Sequence, residues 1–436
     1  LTQQFDLAVV GAGAAGLSVA YGAARLGLAV ALIERGAMGG ECLNTGCIPS
    51  KALLHAARSG ADWAAAQARI RAAIAAIAPN DSAARYAALG ATVIQGTARL
   101  QGDVLAVNGE IIRARRIVIA TGSVPRIPEF CRDVPHYTNE TIWDLAARPE
   151  HLLILGAGPM GCEMAEAFAR LGARVTLIGA LLPREPPELV APLRAALAAR
   201  GVTMIASRAV GAGPGPVLFL ADGQAVAGSH LLIAGGRTVN VSSLGIEAGP
   251  NGIRTDAGLR VLGHRRLYAA GDCADPAGIG PQRFTHVAGG HAALLIRRLV
   301  FRLPARLPAT PPVRVVYTAP ELAQVGETDG HRILVQNFSE NDRAIAEQDT
   351  AGLVRLVLDR RGRLIGAGIT APGAGEMIGL YALAIAERIK LSRLAGLMLP
   401  YPTRSEAGKR AIGAYFAERL FAPGIKRLVY LLKRLP

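Results

Sequence analysis

The strongest constraint on this chain is a supersecondary unit that occurs twice at a fixed distance. Residues 5–10, Phe-Asp-Leu-Ala-Val-Val, read as a short apolar strand running into Gly11-Ala-Gly13-Ala-Ala-Gly16. An Ala-rich helix follows to Arg25-Leu26-Gly27, then a strand from Ala29 to Ile33 that ends at Glu34. The same order returns from Leu152, with Gly156-Ala-Gly158-Pro-Met-Gly161, Arg170-Leu171-Gly172 and a strand from Arg174 to Ile178. Gly11 and Gly156, Gly16 and Gly161, and Gly27 and Gly172 are each separated by 145 positions. A constant offset of this kind marks an internal duplication.

In a strand–glycine–helix unit the glycines permit a tight turn and let the backbone approach a pyrophosphate at the positive end of the helix. Glu34 is placed to accept a hydrogen bond from a ribose 2′-hydroxyl. Two such units imply two dinucleotides. The offset maps Glu34 onto Gly179, so the second ribose lacks its acid, and Ala180 and Leu181 supply no cation for a 2′-phosphate. Arg184 is a candidate for that phosphate and equally a solvated loop charge. The missing acid leans the second site towards NADPH and leaves NADH open.

Three more apolar segments end in turns suited to a nucleotide. Ile117–Ala120 turns at Thr121-Gly122-Ser123, Leu231–Ala234 at Gly235-Gly236-Arg237, and Leu267–Ala270 at Gly271-Asp272. In the last, a carboxylate can fix a polyol chain while the glycine admits a phosphate. A helix pattern covers Phe284 to Arg298, and the Pro-rich stretch Leu303 to Pro312 reads as a linker. Beyond it the texture changes. Val313–Tyr317, Leu353–Leu358 and Leu364–Ile369 read as antiparallel strands, with helices at about 374–389 and 404–420. The expected fold is α/β, with two Rossmann-like dinucleotide-binding domains and a C-terminal α+β domain that serves an interface.

The stretch with most chemistry is 39–51, Gly-Gly-Glu-Cys-Leu-Asn-Thr-Gly-Cys-Ile-Pro-Ser-Lys. Cys42 and Cys47 have four residues between them, and Gly46 lets the turn distort until a disulfide becomes possible. A bridge over so short a loop stabilises little. Zinc needs further ligands, and no second Cys/His pair with suitable spacing exists. Without signs of secretion a close pair is redox-active or metal-binding rather than structural, and the flanking nucleotide unit favours redox. A redox disulfide beside the first unit makes one dinucleotide a flavin.

Charge and hydropathy limit partners. No run of 18 apolar residues appears, so no membrane span is expected. The chain opens into a strand without a basic leader, and its dispersed Cys131, Cys162 and Cys273 suit a reducing, cytoplasmic setting. The formal charge is +15. Aromatic residues are sparse and no nucleic-acid-binding motif occurs, which argues against nucleic acid. From Lys409 onwards seven Lys/Arg face one acidic residue, Glu418. The tail Phe421–Pro436 alternates Leu/Val/Tyr with Lys/Arg, a pattern for an anionic membrane surface at the inner face or for an exposed amphipathic helix on its own dimer.

Taken together, the Gly40-containing cysteine segment, the two glycine units, Ala120-Thr121-Gly122-Ser123 and Ala269-Ala270-Gly271-Asp272 resemble the class I pyridine nucleotide–disulfide oxidoreductases. That family includes dihydrolipoamide dehydrogenase, glutathione reductase and mercuric reductase. The resemblance implies bound FAD, NAD(P)H as electron donor and a homodimer. It also implies three domains: an FAD domain from 1–140 and 250–308, an NAD(P) domain from 141–249, and a dimerisation domain from 309–436. Gly11, Gly13, Gly16, Glu34, Gly40, Lys51, Thr121, Gly122, Gly271 and Asp272 would then line the flavin. Gly156, Gly158, Gly161, Arg184 and Gly236 would line the nicotinamide nucleotide. Cys47 would face the flavin and Cys42 the substrate, with Lys51 near the flavin N5 and paired with Glu163.

The chain departs from the disulfide-reducing members near residue 400. Those carry His-Pro-Thr with a glutamate five residues after the histidine, supplied by the partner subunit. Here Tyr401-Pro402-Thr403-Arg404-Ser405-Glu406 keeps the glutamate and replaces the histidine by Tyr401. A phenol near pKa 10 exchanges protons poorly at neutral pH, whereas an imidazole near 6.5 does so readily. Mercuric reductases also carry a tyrosine in a similar place, which makes them the nearer match. Their C-terminal cysteine pair has no counterpart in Leu432-Lys433-Arg434-Leu435-Pro436. The expected acceptor is a metal ion, a quinone-like molecule or a thiol compound. Two other readings stand beside this one: a dihydrolipoamide dehydrogenase-type enzyme with Tyr401 for histidine, and a membrane-associated electron-transfer or redox-sensing partner.

Overall fold

A computed structural model of the chain describes residues 3–309, 311–433 and 435. It divides into two compact units, Leu1–Gly179 with Met204–Ala309, and Ala180–Thr203 with Thr310–Pro436.

The first unit is built on a seven-stranded sheet. Its central strand Gln3–Val10 pairs in parallel with Val30–Glu34 on one side and Glu110–Ile119 on the other. Ala91–Gln95 extends the first side and Leu267–Ala269 pairs with Glu110–Ile119, both in parallel. Leu7, Ala8, Val9 and residues 30–33 are essentially inaccessible. Strands covered on both faces carry unbroken apolar runs for this reason. The neighbours of the central strand lie in opposite directions along the order, which opens a crevice beyond the carboxyl ends of the strands. Gly11 begins there, and Thr121 and Gly271 follow the ends of two neighbouring strands.

A second parallel set in this unit repeats the arrangement. His151–Leu155 pairs with Arg174–Ile178 and with His230–Ile233. The helices Ala14–Arg25 and Pro159–Arg170 follow the two glycine turns. Each starts from a glycine, Gly13 or Gly158, with no side-chain cap. Their first N–H groups are therefore left for a ligand.

The second unit is a five-stranded antiparallel sheet in the order Arg314–Val316, Glu321–Gly326, Leu364–Ala371, Leu353–Leu358, Arg332–Asn337. Ala374–Ala386 and Glu406–Leu420 pack on it through Ile378, Tyr381, Ala411, Ile412 and Tyr415. The helix Pro187–Ala199 also belongs to this unit. Glu188 accepts from Arg355 at 2.5 Å, and Thr370 Oγ1 donates to the Leu189 carbonyl at 2.7 Å. The strands Glu321–Gly326 and Arg332–Asn337 were not anticipated from their composition. Both gain their stability from the neighbour they pair with rather than from local pattern.

Candidate active site

The two cysteines sit on successive helical turns. Cys42 lies in the short helix Gly40–Asn44, and Cys47 is the first residue of the helix Cys47–Arg58. The Ala-rich run that follows Pro49 suggests a helix from Ser50; it begins three residues earlier, at Cys47. Proline is tolerated in a first turn because its missing N–H has no intrahelical partner there. The earlier start matters chemically, since it sets Cys47 at the positive end of the helix. Gly46 makes the junction possible, because a Cβ there would lie 3.1 Å from the Glu41 carbonyl oxygen.

Both cysteines are unbridged and half-buried. The Cys42 thiol donates to the Cys47 sulfur, and this bond holds Cys47 down to a pKa of about 6 despite burial. Thr285 Oγ1, 3.5 Å from the Cys47 sulfur, and the Lys51 ammonium add to the effect. The same bond, with burial, keeps the Cys42 proton in place far above the usual thiol range. The pair is thus a thiolate and a thiol at neutral pH, with the charge on Cys47. Cys162 is pushed up to about 12 by burial, and Cys131 and Cys273 are also raised by burial, so these three remain thiols.

Lys51 stands one turn after Cys47 on the same helix. Its ammonium meets Glu163 Oε2 at 2.7 Å, and the glutamate is buried. One more pair fixes this helix to Pro159–Arg170. Arg58 binds both oxygens of Glu166 at 3.1 Å, and Arg170 Nε reaches the same carboxylate at 2.7 Å. Glu166 is fully buried. The helix Cys47–Arg58 is therefore clamped to the helix of the second glycine motif at two points.

Around the first glycine turn, Gly11, Gly16 and Gly40 have a steric reason. Gly11 has φ +104°, and a Cβ there would sit 2.4 Å from the Ala120 carbonyl oxygen. A Cβ on Gly16 would fall 1.8 Å from the Gly11 oxygen, and one on Gly40 would fall 2.6 Å from Gly13 Cα. Gly40 thus brings the cysteine segment against the glycine turn. Glu34 accepts from the Ala12 N–H at 2.6 Å and the Gly36 N–H at 2.7 Å. Asp272 accepts from Ser123 Oγ at 2.6 Å. Gly271 has φ +71°, and its N–H donates to the buried His291 Nδ1 at 3.1 Å. Burial takes His291 down to about 4, so the ring is neutral. The Thr121 hydroxyl is buried beside the Cys273 thiol, just past the carboxyl end of a sheet strand. An uncapped helix start and a glycine cradle that a Cβ would fill fit a bound dinucleotide.

The second glycine turn has the same backbone. A Cβ on Gly156 would lie 2.5 Å from the Ala234 carbonyl oxygen, and one on Gly161 would lie 1.9 Å from the Gly156 oxygen. Gly158 faces open space. Gly179 has φ +130°, and its absent Cβ would be 3.3 Å from the Ala157 nitrogen. Gly236 has φ +109° and lies beside the Arg126 guanidinium, which donates to the Gly235 carbonyl at 2.8 Å. Arg184 is exposed and lies in the second unit.

A network missed by sequence reasoning joins the cysteine loop to Asp272. Glu41, next to Cys42, accepts from Asn139 Nδ2 at 2.8 Å and from Arg237 Nη2. Arg237 also donates to Ser123 Oγ and to the Ser123 carbonyl, each at 2.7 Å. Ser123 passes the chain to Asp272. Burial pushes Glu41 up to about 7 against the pull of Arg237. The available signal was a charged residue between Gly40 and Cys42 and an arginine after Gly236, but nothing in sequence spacing pairs them.

In the second unit, Tyr401 is exposed and its hydroxyl donates to Asp342 Oδ2 at 3.1 Å. That bond raises the phenol further above its ordinary value. Glu406 accepts from the Thr403 N–H at 3.3 Å at the start of the helix Glu406–Leu420. Among the described residues, no group of three or more His, Cys, Asp or Glu side chains is arranged to hold a metal ion.

Comparisons with known proteins agree with this geometry. Residues 5–293 match the family model for pyridine nucleotide-disulphide oxidoreductases, and residues 312–412 match the dimerisation domain of those enzymes. A mercuric reductase from Streptomyces lividans is 35% identical, covering 95% of this chain and 97% of that protein. Dihydrolipoyl dehydrogenase 3 from Pseudomonas aeruginosa is 32% identical, covering 94% of this chain and 98% of that protein. The solved structure of the HOCl-induced flavoprotein disulfide reductase RclA from Escherichia coli superposes with a TM-score of 0.83 at 25% identity, over 94% of this chain and 99% of that one.

Proposed function

The chain belongs to the pyridine nucleotide-disulphide oxidoreductase family, whose members bind FAD and use NAD(P)H, and we propose that within it the chain is a mercuric reductase-like enzyme that passes electrons through Cys42 and Cys47 to a soft metal ion. FAD, when bound, supplies the hydride transfer that connects NAD(P)H to the dithiol. Cys47 holds the negative charge at the helix start, steadied by Thr285 and Lys51. Glu163 keeps the Lys51 ammonium oriented. Cys42 keeps its proton until an acceptor displaces it, and two sulfurs side by side are soft ligands suited to a thiophilic ion. The first glycine turn, Glu34, Gly40, Thr121, Gly122 and Gly271-Asp272 would hold the flavin, and the second turn with Gly236 the nicotinamide nucleotide. Arg184 is the proposed contact for a 2′-phosphate. The dimerisation domain supports a homodimer.

One observation carries the choice of acceptor. Tyr401 occupies the position at which disulfide-reducing members carry histidine, and Asp342 raises its phenol rather than lowering it. Such a hydroxyl can orient or ligate but cannot shuttle protons near pH 7. Reduction of a disulfide substrate to two thiols requires that shuttle, and reduction of a bound ion does not.

The test starts from purified flavin-loaded protein titrated anaerobically with NADH and then NADPH. A long-wavelength thiolate–flavin absorption band should appear on reduction and vanish in Cys47→Ala. Turnover should then be faster with Hg²⁺ than with lipoamide or quinones, and Tyr401→Phe should lower the metal rate about 10-fold or more. Faster turnover with lipoamide, unchanged in Tyr401→Phe, would replace this reading by the dihydrolipoamide dehydrogenase-type one.

A further inference from the structure

The helix Pro423–Leu432 differs from every neighbouring element of its unit in having no buried residue. Ile425, Leu428, Val429, Tyr430, Leu431 and Leu432 are 38–60% exposed. At 3.6 residues per turn, Leu431, Leu428, Leu432, Ile425 and Val429 fall on one continuous face. Lys426, Arg427, Tyr430 and Lys433 take the opposite one, with the Lys433 ammonium 4.4 Å from the centre of the Tyr430 ring. Leu420 and Phe421, just ahead of the helix, are also 60% and 63% exposed. By contrast, the preceding helix Glu406–Leu420 is seated on its sheet by Ala407, Ala411, Ile412 and Tyr415, and by Arg410–Asp342 at 3.0 Å and Arg332–Glu418 at 2.5 Å. The amphipathic helix therefore projects from a fixed support.

We infer that this helix docks in the plane of an anionic lipid surface. A helix of ten residues spans about 15 Å, half a bilayer core, so it lies on the membrane and does not cross it. No helix among the described residues is long and apolar enough to span one. A continuous exposed apolar face rimmed by cations is the pattern of an interfacial helix, with the apolar side sunk at the headgroup boundary and the cations on the anionic headgroups. Charge selects lipid over a second copy of the same helix. After Glu418 the sequence carries Arg419, Lys426, Arg427, Lys433 and Arg434 with no Asp or Glu. Two such helices face to face would bring cations together with no acid of their own to neutralise them.

The flavin-loaded full chain is tested by co-sedimentation with phosphatidylglycerol–phosphatidylcholine vesicles and with phosphatidylcholine alone. Binding is expected to the anionic vesicles, weakened by added salt, and near background on the zwitterionic ones. At roughly fivefold per cation, Lys426→Gln with Arg427→Gln should weaken binding roughly 25-fold. Leu428→Glu with Leu432→Glu should abolish it while flavin content and reduction by NAD(P)H stay unchanged. Equal binding to both vesicle types, no binding by the intact chain, or no effect of either double substitution would overturn the inference. So would a fall in the solution mass of the Leu428→Glu, Leu432→Glu variant without vesicles, which would assign the face to contact between copies.

Discussion

The two glycine turns share one backbone solution and differ in what surrounds it. In each, the first glycine is pressed on the carbonyl end of a neighbouring strand, and the third on the carbonyl of the first. The first turn is finished by side chains and by a second loop: Glu34 ties down the Ala12 N–H, and Gly40 brings the cysteine segment against Gly13. The second turn has neither. Gly179 replaces the acid in a left-handed conformation that a side chain adopts only under strain, and Gly158 faces open space. Main-chain packing is what duplication preserved. This difference is what supports the proposed assignment of the resident flavin to the first turn and of an exchangeable nucleotide to the open second one.

Matched substitutions at the third glycines should give the largest effect. Gly16→Ala and Gly161→Ala each drive a methyl into a backbone oxygen, at a cost of about 3 kcal/mol or more. Thermal melts should fall similarly in both. Flavin absorbance per chain should drop only in Gly16→Ala, while reduction by NAD(P)H should fail in a flavin-loaded Gly161→Ala. Flavin loss in both variants alike would erase the functional difference between the turns.

The clamp between the redox helix and the second motif's helix comes next. Glu163→Gln removes a buried carboxylate from an ammonium that is 38% exposed. With solvent screening the cost should be about 1–2 kcal/mol. The thiolate–flavin band should also weaken, because Lys51 loses its orientation towards Cys47. A melt shift without any change in that band would reduce the pair to a purely structural role.

A smaller effect is expected from Glu34→Gln, about 1 kcal/mol from weakened bonds to the Ala12 and Gly36 N–H groups. Flavin should dissociate faster on dilution. Gly179→Ala, its counterpart, should leave flavin retention untouched and alter only nicotinamide nucleotide affinity.

The finest distinction is in pH. Cys47 is an acid whose pKa is lowered in the folded state, to about 6. Its contribution to stability is complete above the ordinary thiol value and is lost as pH falls through 6. Glu41 has the opposite sign: raised to about 7, it favours the fold at low pH and withdraws that contribution as pH rises through 7. Alkylation of Cys47 by iodoacetamide should rise with a midpoint near pH 6, and Cys42→Ala should move that midpoint upward by removing the donated hydrogen bond. A midpoint unmoved in Cys42→Ala would transfer the effect to the helix start and Lys51.

Legibility in the sequence followed the range of the interaction. The 145-residue offset, the strand–turn–helix order and the paired cysteines all act over a few neighbours, and the folded chain retains them. Even there, the helix start at Cys47 lies three residues before the one expected after Pro49, because proline's tolerance in a first turn hides the true beginning. The Arg58–Glu166 clamp and the Thr285 hydroxyl beside Cys47 were not legible. Their partners are 108 and 238 positions apart.

Residue order alone settled the backbone chemistry of the two glycine turns and which two sulfurs lie close in the chain. Strand order decided the rest. It carried Arg237 and Ser123 to Glu41 and Asp272, and in that enclosure burial, rather than residue type, moved a glutamate to about 7. Electrostatics of this kind depends on distance and on exclusion of water, which exist only once segments remote in the chain have been packed together.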